Sequence, residues 1–246
     1  GFGRTLISAA DHGLDALGHV VSYRDLVAAL PCPAAVAARA GRVDEWSMAG
    51  DGVSLRIGEE TLRARLLVVA DGGSGREPIK SPAGDRIKDY VQSAIVCEVE
   101  TENAHRNVAW ERFTPDGPVA LLPFRNRYAL VWTQPTARAD ELVALDDAGF
   151  LRALQAAFGN RAGQFRAAGP RALFPLSLRV RRNPATERVI AVGNAARTLH
   201  PVAGQGLNLG LRDAWELAEL CVRCVDEAPA DLARGVLRCE DDKPFK

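Results

Sequence analysis

One run of eighteen residues combines glycines, an amide side chain, a histidine and a proline in an order that suits anion binding. The run is Gly193-Asn-Ala-Ala-Arg-Thr-Leu-His-Pro-Val-Ala-Gly-Gln-Gly-Leu-Asn-Leu-Gly210. It follows the apolar segment 188–192, a predicted strand, and it precedes apolar residues at helical spacing from about Leu207. A strand, a glycine-rich loop and a helix in this order present a helix N-terminus to a ligand.

Backbone and side-chain groups of this run supply several donors and acceptors. Gly204 and Gly206 lack side chains where the backbone must approach a ligand or take a positive φ angle. The amides from Gly204 to Asn208 are predicted to begin a helix, so they form an unpaired donor array that suits a phosphate. Asn194, just past the strand, has an oxygen for a ribose or ribitol hydroxyl, and Pro201 stiffens the loop. The simpler interpretation is an ordinary strand–helix connection.

A second segment, earlier in the chain, also places a turn after an apolar strand. Leu66 to Ala70 is an uninterrupted apolar run, which predicts a buried strand, and residues 71–73, Asp-Gly-Gly, then indicate a turn. Upstream, the apolar residues after Arg24 share one face of a predicted helix that ends at Pro31. Taken alone, an Ala-Asp-Gly turn is a common strand ending, and an arginine at a helix start is commonly a solvated charge.

Residues 193–210 resemble the second flavin-contact motif of the class A flavoprotein monooxygenases, the para-hydroxybenzoate hydroxylase type. In that family the motif reads Gly-Asp-Ala-Ala-His, then a Pro, then Gly-x-Gly-Leu-Asn, and the version here is most similar to the ubiquinone-biosynthesis hydroxylase branch. Asn194 replaces the usual Asp, and Arg197 replaces the usual His or Gln. Residues 67–73 resemble the family's other internal motif, a strand that ends in Ala-Asp-Gly, and Ser74 falls one position earlier than the motif's serine.

The resemblance implies a cofactor, FAD, and its reductant, NAD(P)H. The implied cofactor-binding residues are Arg24, Asp71, Gly72, Gly193, Asn194, Pro201, Gly204, Gln205, Gly206, Leu207 and Asn208. The helix N-terminus after Gly204 would stabilise negative charge on the reduced flavin ring. His200 and Pro201 are the catalytic candidates because they lie on the loop that would face the ring. A structural hydrogen-bonding role for His200 is the alternative.

The predicted fold is α/β (α+β): an FAD-binding domain of the para-hydroxybenzoate hydroxylase type, interleaved with an antiparallel substrate-binding sheet. Between about Asp89 and Gln134 apolar strands alternate with turn residues, and Phe150–Phe158 has the spacing of an amphipathic helix. The resemblance divides the chain into substrate-sheet strands at 1–22, part of the FAD-binding domain at 23–80, the substrate-binding sheet domain at 81–182, and the return of the FAD-binding domain with a C-terminal helix at 183–246.

The function implied by the resemblance is hydroxylation of an aromatic ring, a prenylated phenol in ubiquinone biosynthesis, with NAD(P)H and O2. The family's Gly-x-Gly-x-x-Gly βαβ unit does not occur in the sequence, so a fragment lacking that N-terminal unit is expected. Three alternatives remain: a different aromatic substrate, an inactive chain that cannot hold FAD, and a non-catalytic binding or assembly module. A chain that is well folded and monodisperse without flavin would favour the third.

The composition of the chain argues against several other classes of protein. Lys plus Arg and Asp plus Glu each number 31, so the net charge is zero and no nucleic-acid partner is expected. Five scattered cysteines are typical of reduced thiols in a cytoplasmic protein, and four histidines without ligand spacing argue against a metal site. No apolar run reaches the roughly 20 residues of a membrane helix. A prenylated substrate would place the protein at the periphery of the inner membrane or in a ubiquinone-biosynthesis complex.

Overall fold

The computed structural model describes residues 3, 5–73, 85–185, 188–200 and 204–223. In these residues the α-helices are α1 (Tyr23–Ala29), α2 (Thr136–Ala144), α3 (Asp147–Phe158) and α4 (Gly206–Arg223), with 3-10 turns at Ala10–His12 and Gly193–Ala195. The strands are β1 (Glu45–Ala49), β2 (Gly52–Ile57), β3 (Glu60–Ala64), β4 (Leu67–Val69), β5 (Asp85–Thr101), β6 (Trp110–Thr114), β7 (Gly117–Phe124), β8 (Arg127–Pro135), β9 (Phe165–Ala168), β10 (Ala172–Arg181), β11 (Val189–Ala191) and β12 (Arg197–Thr198). The chain divides into two compact units, unit 1 from Gly1–Ala38 and Ser93–Phe174 and unit 2 from Arg39–Gln92 and Pro175–Lys246.

Unit 1 is built on a sheet of local antiparallel hairpins. β6 pairs with β7, β7 pairs with β8, and β5 lies beside β8 and also pairs with β9. Side chains alternate across a strand, so Leu121 and Leu130, which face each other in the register, both point into the core and are fully buried. Helix α2 adds Leu142 to this core, and helix α3 adds Phe150 and Leu154.

Helix α3 confirms the amphipathic helix predicted over Phe150–Phe158 and extends it by one turn towards the N-terminus. Asp146 caps the helix, because its side chain accepts the Gly149 amide at 2.7 Å. Phe150, Leu154 and Phe158 are its buried residues, at the spacing that places them on one face. The sequence pattern therefore predicts both the helix and the face that it buries.

Unit 2 combines an antiparallel meander with a parallel strand pair. β1, β2 and β3 pair in order, and the two turns between them contain Gly50 and Gly58, each with a positive φ angle. β4 runs parallel to β11, and β10 runs antiparallel to β12. A small apolar cluster packs within this unit and consists of Val53, Val69, Val189, Ala191, Ala195 and Ala196. The parallel pair and the helix α4 that follows it carry the motifs singled out in the sequence.

Two predictions differ from the structure. The run Leu66–Ala70, predicted as a buried strand, forms β4, but Val68 is 41% exposed. Among the described residues β4 has β11 as its one neighbouring strand, so part of its surface stays uncovered. Residues 1–22, predicted to contribute strands, contain none in their described part, and a 3-10 turn occupies Ala10–His12. Apolar side chains there remain exposed, Leu6 by 73%, so burial does not stabilise a strand.

Helix α4 forms where the sequence predicts it, but its apolar face is exposed. The spacing of Leu207, Leu211, Ala214, Ala218 and Cys221 predicts a shared face, and the last predicted member, Val225, lies outside the described residues. None of the side chains of α4 is buried, and Leu207 is 51% exposed. None of the described helices combines the length and the apolar character that crossing a membrane requires.

Candidate cofactor-binding site

The carboxyl ends of the parallel strands β4 and β11 bring the two glycine-containing motifs together. Val69 pairs with Ala191, and the Val192 amide donates to the Val69 carbonyl at 3.0 Å. Parallel strands end at the same edge of a sheet, so the turns after them are neighbours. Gly73 lies against Asn194: a Cβ on Gly73 would stand 2.5 Å from the Asn194 carbonyl oxygen. The structure thus joins two motifs that are far apart in the sequence.

Asp71 shapes the first of these turns. Its Oδ1 atom accepts the Gly73 amide at 3.0 Å, and Gly72 between them has a φ angle of +76°. Aspartate commonly makes this side-chain-to-backbone bond in turns. The side chain is exposed, and its Oδ2 atom has no hydrogen-bond partner in the described part of the chain. Asp71 therefore holds the turn and still offers one oxygen atom to a ligand.

Two arginines of β10 hold the backbone of both turns. Arg179 donates to the Gly73 carbonyl at 3.0 Å and to Asp85 Oδ2 at 3.1 Å. Arg181, which is 4% exposed, donates through Nε to the Ala195 carbonyl at 3.1 Å. Side chains two residues apart project from the same face of a strand, so one strand serves both turns. This pair was not predicted from the sequence, although both arginines alternate with apolar residues in β10, which is a visible signal.

The second turn, Gly193–Ala195, is attached directly to helix α4. Gly193 has a φ angle of +57°, and its amide donates to Asp213 Oδ2 at 2.9 Å. The Oδ1 atom of Asp213 accepts the guanidinium of Arg197. Gly193 and Gly210 approach closely, since a Cβ on Gly210 would stand 3.4 Å from the Gly193 Cα. Asn194 is exposed, and its side chain makes no hydrogen bond in the described part of the chain.

The start of helix α4 presents an open donor array. The amides of Gly206, Leu207 and Asn208 make no hydrogen bond within the described part of the chain, and the first amide bond is from Leu209 to the Gln205 carbonyl at 2.9 Å. Gly206 has no atom within 4 Å of where a Cβ would stand, and neither does Gly204, whose φ angle is +59°. A shallow depression here is lined by Gly193, Arg197, Leu199, Gly206, Leu209 and Gly210. Donors and open space together fit an anionic cofactor.

His200 lies at the end of the described loop, against an aromatic ring of β5. Its ring meets that of Tyr90 edge to face with centroids 4.9 Å apart, and Lys88 Nζ is 5.0 Å from the centre of the Tyr90 ring. Burial lowers the pKa of His200 below its usual value of 6.5, which favours the neutral form of the imidazole. Within the described residues no group of three or more His, Cys, Asp or Glu side chains could hold a metal ion.

Two predicted site residues are not placed with the others. Pro201, predicted to bind the cofactor and to face the reaction, lies outside the described residues. Arg24 belongs to unit 1 and is exposed in the first turn of α1, a helix that Ser22 caps by accepting the Asp25 amide at 3.1 Å. Asp25 in turn pairs with Arg125 at 3.5 Å. The role of Arg24 at the cofactor stays a prediction.

Paired parallel strand ends, glycine turns and an open helix N-terminus define an α/β nucleotide-binding fold. Residues 39–232 match the FAD binding domain family, and the chain belongs to that family. The solved structure of Klebsiella pneumoniae HpxO complexed with FAD and uric acid is similar to this chain with a TM-score of 0.61. That alignment covers 79% of this chain and 52% of HpxO at 18% identity, which shows a shared fold. The predicted α/β (α+β) fold of the flavoprotein hydroxylases is thereby confirmed.

Two curated relatives are ubiquinone hydroxylases by name. Ubiquinone hydroxylase UbiL of Rhodospirillum rubrum is 43% identical over 174 residues, which cover 70% of this chain and 41% of UbiL. The 3-demethoxyubiquinol 3-hydroxylase of Escherichia coli is 36% identical over 184 residues, which cover 74% of this chain and 46% of that enzyme. The predicted resemblance to the ubiquinone-biosynthesis branch is confirmed, and the chain spans a little under half the length of these relatives.

Proposed function

We propose that this chain is part of an FAD-dependent monooxygenase that hydroxylates an aromatic ring, a prenylated phenol in ubiquinone biosynthesis. The observation that carries the proposal is the meeting of the Gly73 and Asn194 turns beside the open N-terminus of α4. Identity of 43% with a ubiquinone hydroxylase supports the substrate class. The overall reaction would place one atom of O2 on the ring and reduce the other to water with two electrons from NAD(P)H.

Residues of unit 2 would hold FAD, which supplies the redox and oxygen-transfer chemistry when bound. The amides of Gly206, Leu207 and Asn208 point their partial positive charge at a ligand and would stabilise negative charge on its ring. Gly204 and Gly206 would let the backbone approach the cofactor, since neither has a side chain in the way. The exposed amide of Asn194 would bond a ribityl or ribose hydroxyl, and the Oδ2 atom of Asp71 would face the pyrophosphate side.

His200 is proposed to act beside the reacting face as a neutral imidazole. A neutral ring has one donor and one acceptor nitrogen, so it can orient a polar group of the substrate without adding charge. The edge-to-face contact with Tyr90 restricts how the imidazole can turn. Pro201 follows directly in the sequence and would stiffen the loop at this point.

The sheet of unit 1 is proposed to supply the surface for the aromatic substrate, because the family resemblance assigns residues 81–182 to the substrate-binding sheet domain. A prenylated phenol dissolves in membranes, so we also propose peripheral association with the inner membrane or with a ubiquinone-biosynthesis complex. These proposals concern the whole protein, because the aligned part of this chain spans 41% of UbiL and 46% of the Escherichia coli enzyme.

Isotope labelling tests the proposed reaction. FAD-loaded protein is incubated with NAD(P)H, a prenylated phenol and labelled O2, and the product is examined by mass spectrometry. We expect one labelled oxygen atom in each molecule of hydroxylated product. Oxidation of NAD(P)H without labelled product, at full occupancy with FAD and over several prenylated phenols, would contradict the hydroxylase assignment.

A further inference from the structure

Asp213, in the second turn of α4, holds two partners from the segment that follows β11, Gly193 in the turn and Arg197 in β12. Its Oδ2 atom accepts the Gly193 amide at 2.9 Å, and its Oδ1 atom accepts the Arg197 guanidinium. The side chains of Asp213 and Arg197 are 16% and 25% exposed, so the pair is largely removed from water. Neither residue was among the predicted site residues.

The backbone geometry of Gly193 explains why a carboxylate of α4 is needed beside the turn. Gly193 follows β11 with a φ angle of +57°, and its amide donates to a carboxylate of the helix. Gly210 precedes Asp213 by three residues and therefore lies on the same face of α4. The close approach of Gly193 and Gly210 and the bond to Asp213 together fix the spacing between the turn and the helix.

We propose that Asp213 and Arg197 are a positioning pair for the cofactor. They hold the N-terminus of α4 at a set distance from the turn of Asn194, so that donors on both segments can contact one FAD molecule. This inference rests on the proposed function, because it concerns the same FAD site.

Charge explains why the pair contains an arginine. An aspartate within two turns of a helix N-terminus would by itself reduce the positive potential that attracts an anion. The guanidinium of Arg197 balances that carboxylate through a direct ion pair. Loss of Arg197 would therefore leave a partly buried negative charge close to the anionic cofactor.

The test compares Asp213→Asn with Glu216→Gln, a matched loss of one carboxylate on the same helix. Glu216 pairs with Arg212 at 2.7 Å, both side chains are partly exposed, and Glu216 makes no hydrogen bond to either turn within the described part of the chain. We expect the dissociation constant for FAD to rise about tenfold or more in Asp213→Asn, as for a lost charged hydrogen bond. The visible circular dichroism of the bound flavin at saturating FAD should also change, whereas both properties should stay unchanged in Glu216→Gln.

Arg197 variants give a second, independent readout. Arg197→Gln should weaken FAD binding as Asp213→Asn does, Arg197→Lys should restore part of the affinity, and the double variant should bind little worse than either single one. Arg212→Gln is the control for loss of a cation. If wild-type chain does not bind FAD, the FAD site proposed for this chain fails, and the positioning role fails with it. If wild-type chain binds FAD, and Asp213→Asn or Arg197→Gln binds it with unchanged affinity and spectrum, the positioning role is wrong while the function stands.

Discussion

His200, at the residue scale, is partly buried at the end of the loop after β12, and this burial lowers its pKa. The pKa of the folded imidazole lies below 6.5 because burial disfavours its charged form. In the unfolded chain the same side chain takes up protons at the usual value. The unfolded state therefore binds more protons as the pH falls below about 6.5, and folding loses stability there.

Replacing His200 should remove the part of the pH dependence of folding stability that comes from its imidazole. We expect wild-type chain to lose stability as the pH falls from about 6.5 to the lower pKa of folded His200, and His200→Gln to lose less over the same range. Urea unfolding at a series of pH values measures this difference. An NMR titration that placed the folded His200 pKa at or above 6.5 would contradict the burial argument, and Tyr90→Ala should raise that pKa towards 6.5.

Asn194 is an exposed side chain without a hydrogen bond in the described structure, so its role should be confined to the ligand. Asn194→Ala should weaken FAD binding and leave the urea midpoint within experimental error of wild type. A neutral hydrogen bond contributes about 0.5–1.5 kcal/mol, which corresponds to a loss of affinity of a few-fold up to about tenfold. Unchanged affinity, measured by quenching of flavin fluorescence, would exclude Asn194 from the site.

At the scale of elements, Gly204 and Gly206 distinguish two reasons for a glycine: a positive φ angle of the backbone, and open space for a ligand. Gly204 has a φ angle of +59°, whereas Gly206 begins α4 and has no positive φ angle. At both glycines the space that a Cβ would occupy is open within the described part of the chain. A left-handed conformation costs a non-glycine residue about 1–2 kcal/mol. The two glycines should therefore respond differently to the same methyl group.

Gly206→Ala should keep or slightly raise stability, because alanine favours helices, and should weaken FAD binding if the backbone approaches the cofactor there. Gly204→Ala should lower stability by about 1 kcal/mol and weaken FAD binding as well. Urea unfolding and FAD titration of both variants measure the two effects. Wild-type affinity in Gly206→Ala would show that Gly206 does not contact the cofactor.

Local elements of this chain could be predicted from sequence because their causes are local. Helix α3 follows from the spacing of Phe150, Leu154 and Phe158, and the hairpins of β6, β7 and β8 lie where apolar strands alternate with turn residues. The glycine motifs could be predicted as flavin contacts by resemblance to a family. The meeting of Gly73 with Asn194 could be expected only through that resemblance, because it depends on the parallel pairing of β4 with β11.

Contacts made through space account for what the sequence did not predict. Arg179 and Arg181 bond to backbone carbonyls of distant turns, and a backbone carbonyl has no signature in a sequence. In the sequence, Asp213 is one polar residue of an amphipathic helix. Its bond to the Gly193 amide becomes visible only in the structure. The exposure of α4 likewise depends on which elements surround the helix and not on its own apolar spacing.

At the scale of the whole molecule, the larger of the two apolar cores formed by the described residues lies in unit 1. Phe150 is fully buried there, its ring 5.9 Å from that of Trp132 and 4.8 Å from the guanidinium of Arg171. The core holds α2 and α3 against the sheet that we propose for the aromatic substrate. Its packing should therefore decide whether that sheet keeps its shape.

Phe150→Ala should destabilise unit 1 by about 3–5 kcal/mol, the usual range for emptying a buried aromatic site. Phe113, which is 69% exposed on β6, provides the matched control, and Phe113→Ala should change stability little. Urea unfolding followed by tryptophan fluorescence measures both variants. A loss below about 1 kcal/mol for Phe150→Ala would contradict the description of this core.

The central claim is that the two turns and the N-terminus of α4 form an FAD site, and titration of purified chain with FAD tests it most directly. We predict saturable quenching of flavin fluorescence that is weakened in Asn194→Ala and Gly206→Ala and unchanged in Glu216→Gln. Far-ultraviolet circular dichroism confirms that each protein is folded. A folded wild-type chain that leaves FAD fluorescence unchanged would contradict the account and favour an inactive chain that cannot hold FAD or a non-catalytic module.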